Sequence, residues 1–152
     1  MSVTFSDQDK LTMRTAAYGA VTLLAAAGAA GSPHKIATAG SIALASATGP
    51  IGHVLAEKST GANLNGKSVA DIADHVLPAL TAAMSLLKMQ APAEADNFHS
   101  TVMIALEAAT RTQPGEPSPT VAEMTRKIIG ALDAASATTP EVTAADNGGS
   151  VA

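Results

Sequence analysis

No cysteine occurs among the 152 residues, which excludes disulfides, thiolate metal ligands and cysteine nucleophiles. A chain without thiols fits a reducing compartment, and the cytoplasm is the expected location. Aromatic residues are almost as scarce, with one Tyr, two Phe and no Trp. So few rings offer no platform on which nucleobases stack and no aromatic-lined cleft for a glycosidase built on paired carboxylates. Charged residues make up only 14% of the chain. Lys and Arg are nowhere clustered, and nucleic-acid affinity comes largely from cations meeting phosphates, so no nucleic acid is expected as a partner. The net charge of −4 is uneven: up to Gln90 six cations face five acids, and from Ala91 onward three face eight.

What remains is apolar and small. Hydrophobic residues reach 47%, mainly alanine, the strongest helix former, while the residues that favour strands are few. The expected fold is all-α, a bundle of about five helices in a single domain over residues 1–136, with a polar, disordered tail over 137–152.

Helix boundaries follow from capping and periodicity. Ser6, with Asp7 and Asp9 behind it, marks a helix start, since acids suit the positive end of the helix dipole. That helix is expected to run to about Ala30, where Gly31-Ser32-Pro33 ends it. After Arg14 it is apolar on nearly every face, which suits the centre of a bundle, a membrane, or an oligomer interface. A second helix, about His34 to Ser59, sets Ala39, Ala43 and Ala47 four residues apart, a small-residue ridge that lets another helix approach closely. The two form an Ala/Gly-rich hairpin, with Ala16 and Ala20 or Ala25 and Ala29 as the opposing ridge. Gly49-Pro50 is expected to kink the second helix or split it.

The third helix, Val69 to Met89, has the clearest stripe: Val69, Ile72, Ala73, Val76, Leu80, Ala83 and Leu87. Pro78 within it predicts a kink. Pro92 opens a fourth helix reaching about Arg111, with Phe98, Val102, Ala105 and Ala109 inward. Gln113 to Pro119 is a loop. The fifth helix buries Val121, Met124, Ile128, Leu132 and Ala135, capped either by Thr120 with Glu123 or by Ser118 ahead of Pro119.

One stretch raises a sharper question. Gly61-Ala-Asn-Leu-Asn-Gly66-Lys67-Ser68 has the spacing of a phosphate-binding loop, in which a strand delivers backbone amides to the phosphates. Here the run before it, Ile51 to Lys58, reads as helix, and the acidic strand end that would hold Mg²⁺ is missing. The expected roles are structural: Gly61 a C-cap, Gly66 a turn residue, Lys67 solvated and Ser68 an N-cap. A helix start at Gly66, Lys67 and Ser68 retains the capacity to hold a phosphate or sulfate without any strand.

Four histidines are scattered. Asp71 with His75 and Asp96 with His99 have helical spacings that suit a metal ion. The paired E-x-x-H motifs of di-metal bundles are absent, so neither a metal nor a cofactor is expected. There is no G-x-S-x-G for a serine hydrolase. Tyr18, alone in the apolar first helix, needs a hydrogen-bond partner if it is buried.

No secretory pattern opens the chain, because Asp7 and Asp9 stand where a cationic segment belongs. Thr15 to His34 and Ile36 to Ala56 carry no charge, yet the first has only Val21, Leu23 and Leu24 among the residues that drive insertion, and the second breaks at Gly49-Pro50 and carries His53. Three functional expectations follow. The first is a non-enzymatic helical protein acting by association, as a homo-oligomer or a protein–protein adaptor, through the apolar N-terminal helices. The second is a membrane-inserted hairpin over residues 15–56 carrying a helical domain. The third is a small-molecule or phosphate binder, or an enzyme, using the 61–68 helix start or the Asp71/His75 face.

Overall fold

Ser6 accepts a hydrogen bond from the Asp9 amide at 3.0 Å, and the Asp9 carboxylate accepts one from the Ser6 amide at 3.3 Å. This reciprocal box satisfies two N–H groups that a helix start otherwise leaves open. From it helix α1 spans Asp7–Ala27 in the computed structural model, which describes residues 5–28, 33–56, 68–112 and 118–137. Five more helices follow: α2 Pro33–Ala45, α3 Gly49–Ala56, α4 Val69–Gln90, α5 Pro92–Thr110 and α6 Pro119–Ala137. Among the described residues there is no strand, and the chain is an all-α bundle.

The apolar character of α1 is explained by its position. Each of the other five helices touches it, and Met13, Ala16, Ala17, Ala20, Leu23 and Leu24 lose all contact with solvent. A helix ringed by neighbours has no face left to carry charge. Even Arg14 is buried. The helix stops at Ala27, three residues short of expectation, where the Gly28 amide turns back to the Leu24 and Ala25 carbonyls.

The N-terminal hairpin is close-packed, and glycines as well as the alanine ridge bring its helices together. A Cβ on Gly40 would lie 2.7 Å from Cγ1 of Val21, so α1 and α2 meet at a residue with no side chain at all. Ala43 and Ala47 pack at the edge of the core, while Ala39 borders a surface hollow. Gly19 plays the same part against α4, where a Cβ would come within 2.6 Å of Val76.

The expected second helix is two, which raises the number of helices from five to six. Gly49 has φ +72°, a left-handed conformation that other residues adopt only with strain. Pro50 follows it in the first turn of α3, and the break from α2 lies between Ala45 and Gly49. Asn97 of α5 holds this break, donating to the Thr48 carbonyl at 3.0 Å. Tyr18 of α1 donates to the Leu55 carbonyl at 2.7 Å and so holds the far end of α3.

The remaining helices follow their sequence stripes. Ser68 caps α4, accepting from the Asp71 amide at 3.1 Å. Ile72, Val76, Leu80, Ala83 and Leu87 are buried, and Val69 and Ala73 pack beside them. The helix passes through Pro78 as one element, with the ring on its exposed side. Ala91 alone separates α4 from α5. Of the two possible caps for α6, Ser118 is the one used, accepting from the Val121 amide at 3.3 Å. The whole expected inner face of α6 is buried. Thr81 of α4 donates to the Ala131 carbonyl of α6 at 2.7 Å, joining two helices through a side chain too short to tolerate slippage. Helix α6 runs one residue beyond the expected end of the domain, and the tail expected after Ala137 lies outside the described residues.

Candidate functional site

Of the phosphate-loop resemblance only the last residue lies within the described residues. Ser68 uses its hydroxyl as the N-cap of α4, accepting from the Asp71 amide, which is the structural role expected of it. Gly61, Gly66 and Lys67 lie outside the described residues. The preceding described element, Gly49–Ala56, is helical.

The metal-like spacings do not converge. Asp71 and His75 both lie exposed on α4, and His75 borders an open hollow with Leu11, Thr12 and Pro78. On α5, His99 turns away from Asp96 and pairs with Asp133 of α6, Nε2 to Oδ1 at 2.9 Å. Thirty-four residues separate this pair in the chain, so no local pattern announces it. His34 and His53 are exposed on α2 and α3. Among the described residues no three potential ligands gather where a metal ion would be held.

Tyr18 is committed to the fold through its bond to Leu55, and burial raises its phenol pKa above the usual 10.0. Asp9 is the other perturbed group: the Gln90 side chain donates to it at 3.1 Å and holds its pKa below the usual carboxyl value, helped by Ser6. Both are joints between helices, with α3 and α4 respectively.

The unexplained surface lies elsewhere. Among the described residues four large apolar side chains remain exposed: Leu11, Ile42, Met89 and Ile104. Ile104 stands 57% exposed beside a hollow it shares with Met103, Leu106 and Ile129, where Glu107 and Thr110 supply polar edges. Ile42 is 63% exposed on α2. Around it the outward side of that helix presents His34, Thr38 and Ala45, with Lys35 as its single Lys, Arg, Asp or Glu. The other long helices look outward differently: α4 through Asp71, Asp74 and Lys88, α5 through Asp96, Glu107 and Arg111, α6 through Glu123, Arg126 and Lys127. Beside Ile42 is an open hollow of about 430 Å³, lined by His34, Lys35, Thr38, Ala39, Ile42 and Thr112. The alanine ridge expected on α2 is only half-buried, and no stripe in the sequence marks the outward side that carries Ile42. The available signal was the uncharged run from Ile36 to Ala56, too long for its outward-facing positions to be polar by default.

By length and composition one described helix, α4, is long and apolar enough to cross a membrane, with a mean hydropathy of 1.2, whereas α1 and α2 are not. No family model matches this chain, and neither does a curated protein or a solved structure.

Proposed function

We propose that this protein works by association, forming a homo-oligomer through the outward side of its N-terminal helices, in a reducing compartment such as the cytoplasm. One observation carries the reading: α2 turns an exposed isoleucine and a nearly charge-free face to solvent. Charged residues are depleted at the centres of protein interfaces and abundant on surfaces that stay wet. A lone exposed apolar side chain is ordinary, and it is contiguous apolar surface that marks an interface; here Ile42 is joined by Ala39 at one hollow and by exposed Ala45 one turn on. After Arg14 most of α1 is covered by the other helices, and Ile42 is left more exposed than Leu11, so we assign association through the N-terminal hairpin to α2. An adaptor binding a different protein would use the same face.

Sedimentation velocity over a wide concentration range tests the reading. The weight-average mass is expected to rise above that of the 15.1 kDa chain as concentration increases. A mass that stays monomeric up to about 1 mM, the range of the weakest specific contacts, would refute it.

A further inference from the structure

The outward residues of α2 have an internal order. Lys35, Thr38, Ile42 and Ala45 are all exposed, and their steps of three, four and three match the spacing of a seam between paired helices. At 3.6 residues per turn they fall within an arc of about 80°. They also mirror one another about Gly40, which faces the opposite way, into Val21 of α1. Turned end for end, the stripe lies on itself: Thr38 faces Ile42, and Lys35 faces Ala45.

From this we infer that the partner is a second copy of the chain, docked α2 against α2 in antiparallel fashion about a two-fold axis that passes near Gly40. The inference rests on the association reading above and specifies its geometry. Shape supports it, because Ile42 stands beside a hollow bordered by Thr38 and Ala39. A knob and a hole on one face are what an isologous interface requires, each filling the other's counterpart.

Charge supports it independently. Lys35 lies in the first turn of its own helix, next to the positive end of the dipole, where a cation is unfavourable. The first turn of α2 has no acidic residue, and its last turn has no basic one. Antiparallel docking brings each Lys35 to the C-terminal end of the partner helix, where carbonyl groups concentrate negative potential. The face contributes no like-charge clash, although the chain as a whole carries −4. A helix of this length offers a strip only about 20 Å long, so the dimer is a weak one.

The absence of native cysteine makes a clean crosslinking test possible. Lys35→Cys and Ala45→Cys chains, one carrying a size tag, are oxidised separately and as a mixture. In an antiparallel dimer of the Lys35→Cys chain the two introduced thiols are about 15 Å apart along the axis, beyond the roughly 7 Å that a disulfide spans. The same separation holds for two Ala45→Cys chains. The expected result is a disulfide-linked heterodimer in the mixture and none from either variant alone. In parallel, Ile42→Lys is expected to raise the dimer dissociation constant at least tenfold, with the far-UV circular dichroism unchanged because Ile42 is not part of the core.

Crosslinking of Lys35→Cys with itself would mean parallel helices and would overturn the inference. A wild-type chain that sediments as an oligomer while the mixture fails to crosslink would overturn the antiparallel geometry alone, and an oligomer indifferent to Ile42→Lys would overturn it together with the assignment of association to α2. A wild-type chain that is monomeric throughout would sink both.

Discussion

The Tyr18 hydroxyl donates to the Leu55 carbonyl at 2.7 Å across 37 residues of chain, tying the central helix to the end of the shortest one. Its ring is half-buried, and burial raises its pKa, so folding favours the protonated phenol, the form able to donate. Tyr18→Phe keeps the ring and removes the bond. We expect a loss of about 1 kcal/mol in denaturant unfolding, the net worth of one such hydrogen bond. The sign of the pH effect follows from the raised pKa. The contribution is complete below the ordinary phenol value of 10.0 and is lost as pH rises through the higher folded-state value. The wild type should therefore lose its advantage over Tyr18→Phe at strongly alkaline pH, and a constant difference between the two would contradict this account.

Asp9 makes the opposite prediction at the acid end. Its carboxylate accepts from Gln90 of α4 and from the Ser6 amide, and its pKa is lowered accordingly. The stabilisation is present above the usual carboxyl value of 3.8 and disappears as pH falls through the folded-state value. Asp9→Asn weakens the cap and the link to α4 together. Since the site is largely open to solvent, we expect a cost of no more than a few tenths of a kcal/mol near neutral pH, about the worth of an exposed pair. Below the folded-state pKa that difference should vanish. A gap that persists or widens in acid would show that something other than ionisation supports this joint.

Much of this fold could be read in the sequence because much of it is local. Ser6, Ser68 and Pro92 mark helix starts through bonds and backbone angles confined to three or four neighbours. The stripes of α4, α5 and α6 name their buried faces because a 3.6-residue period needs no knowledge of the partner helix. The close contact of α1 with α2 was legible as a class, small residues meeting small residues. That Gly40 would meet Val21, not a row of alanines, depends on the rotation of both helices, which no local pattern fixes. The same holds for His99, whose local neighbour Asp96 has a plausible spacing, while its actual partner Asp133 comes from another helix. Both sides of α2 are hidden by its composition: the buried positions are Ile36, Gly40 and Leu44, not the ridge of Ala39, Ala43 and Ala47. An alanine-rich helix shows little contrast between faces, so burial of Ile36 and Leu44 alongside exposure of Ile42 is decided by the bundle around it.

The residues of the alternative ligand sites should be silent. Asp71 and His75 are exposed on α4, and the Ser68 hydroxyl is engaged as a cap. A ligand that binds the native state alone raises its melting temperature with concentration. A thermal-shift panel of nucleoside triphosphates, inorganic phosphate, Mg²⁺ and Zn²⁺ is expected to move the wild type by less than about 1 °C, against several degrees for a ligand well above its dissociation constant. A rise that His75→Ala or a Lys67 substitution abolishes would restore the ligand-binding reading.

Two glycines offer the sharpest test of the packing, because the same substitution should act in opposite directions. A Cβ at Gly40 would sit 2.7 Å from Val21, between two helices of the core. Either the helices separate or Val21 changes rotamer, so Gly40→Ala is expected to cost about 1–3 kcal/mol, the usual penalty of overpacking. At Gly130, on the exposed side of α6, an added Cβ meets nothing within 4 Å. There Gly130→Ala only reduces the entropy lost on forming the helix, and a gain of about 0.5–1 kcal/mol is expected. The clash at Gly40 has a specific remedy: Val21→Ala removes the methyl groups that collide. In a double-mutant cycle the pair should be less destabilised than the sum of the single variants, by at least about 0.5 kcal/mol. Additive costs would mean that the two residues do not touch, and the close crossing of α1 and α2 would then be wrong.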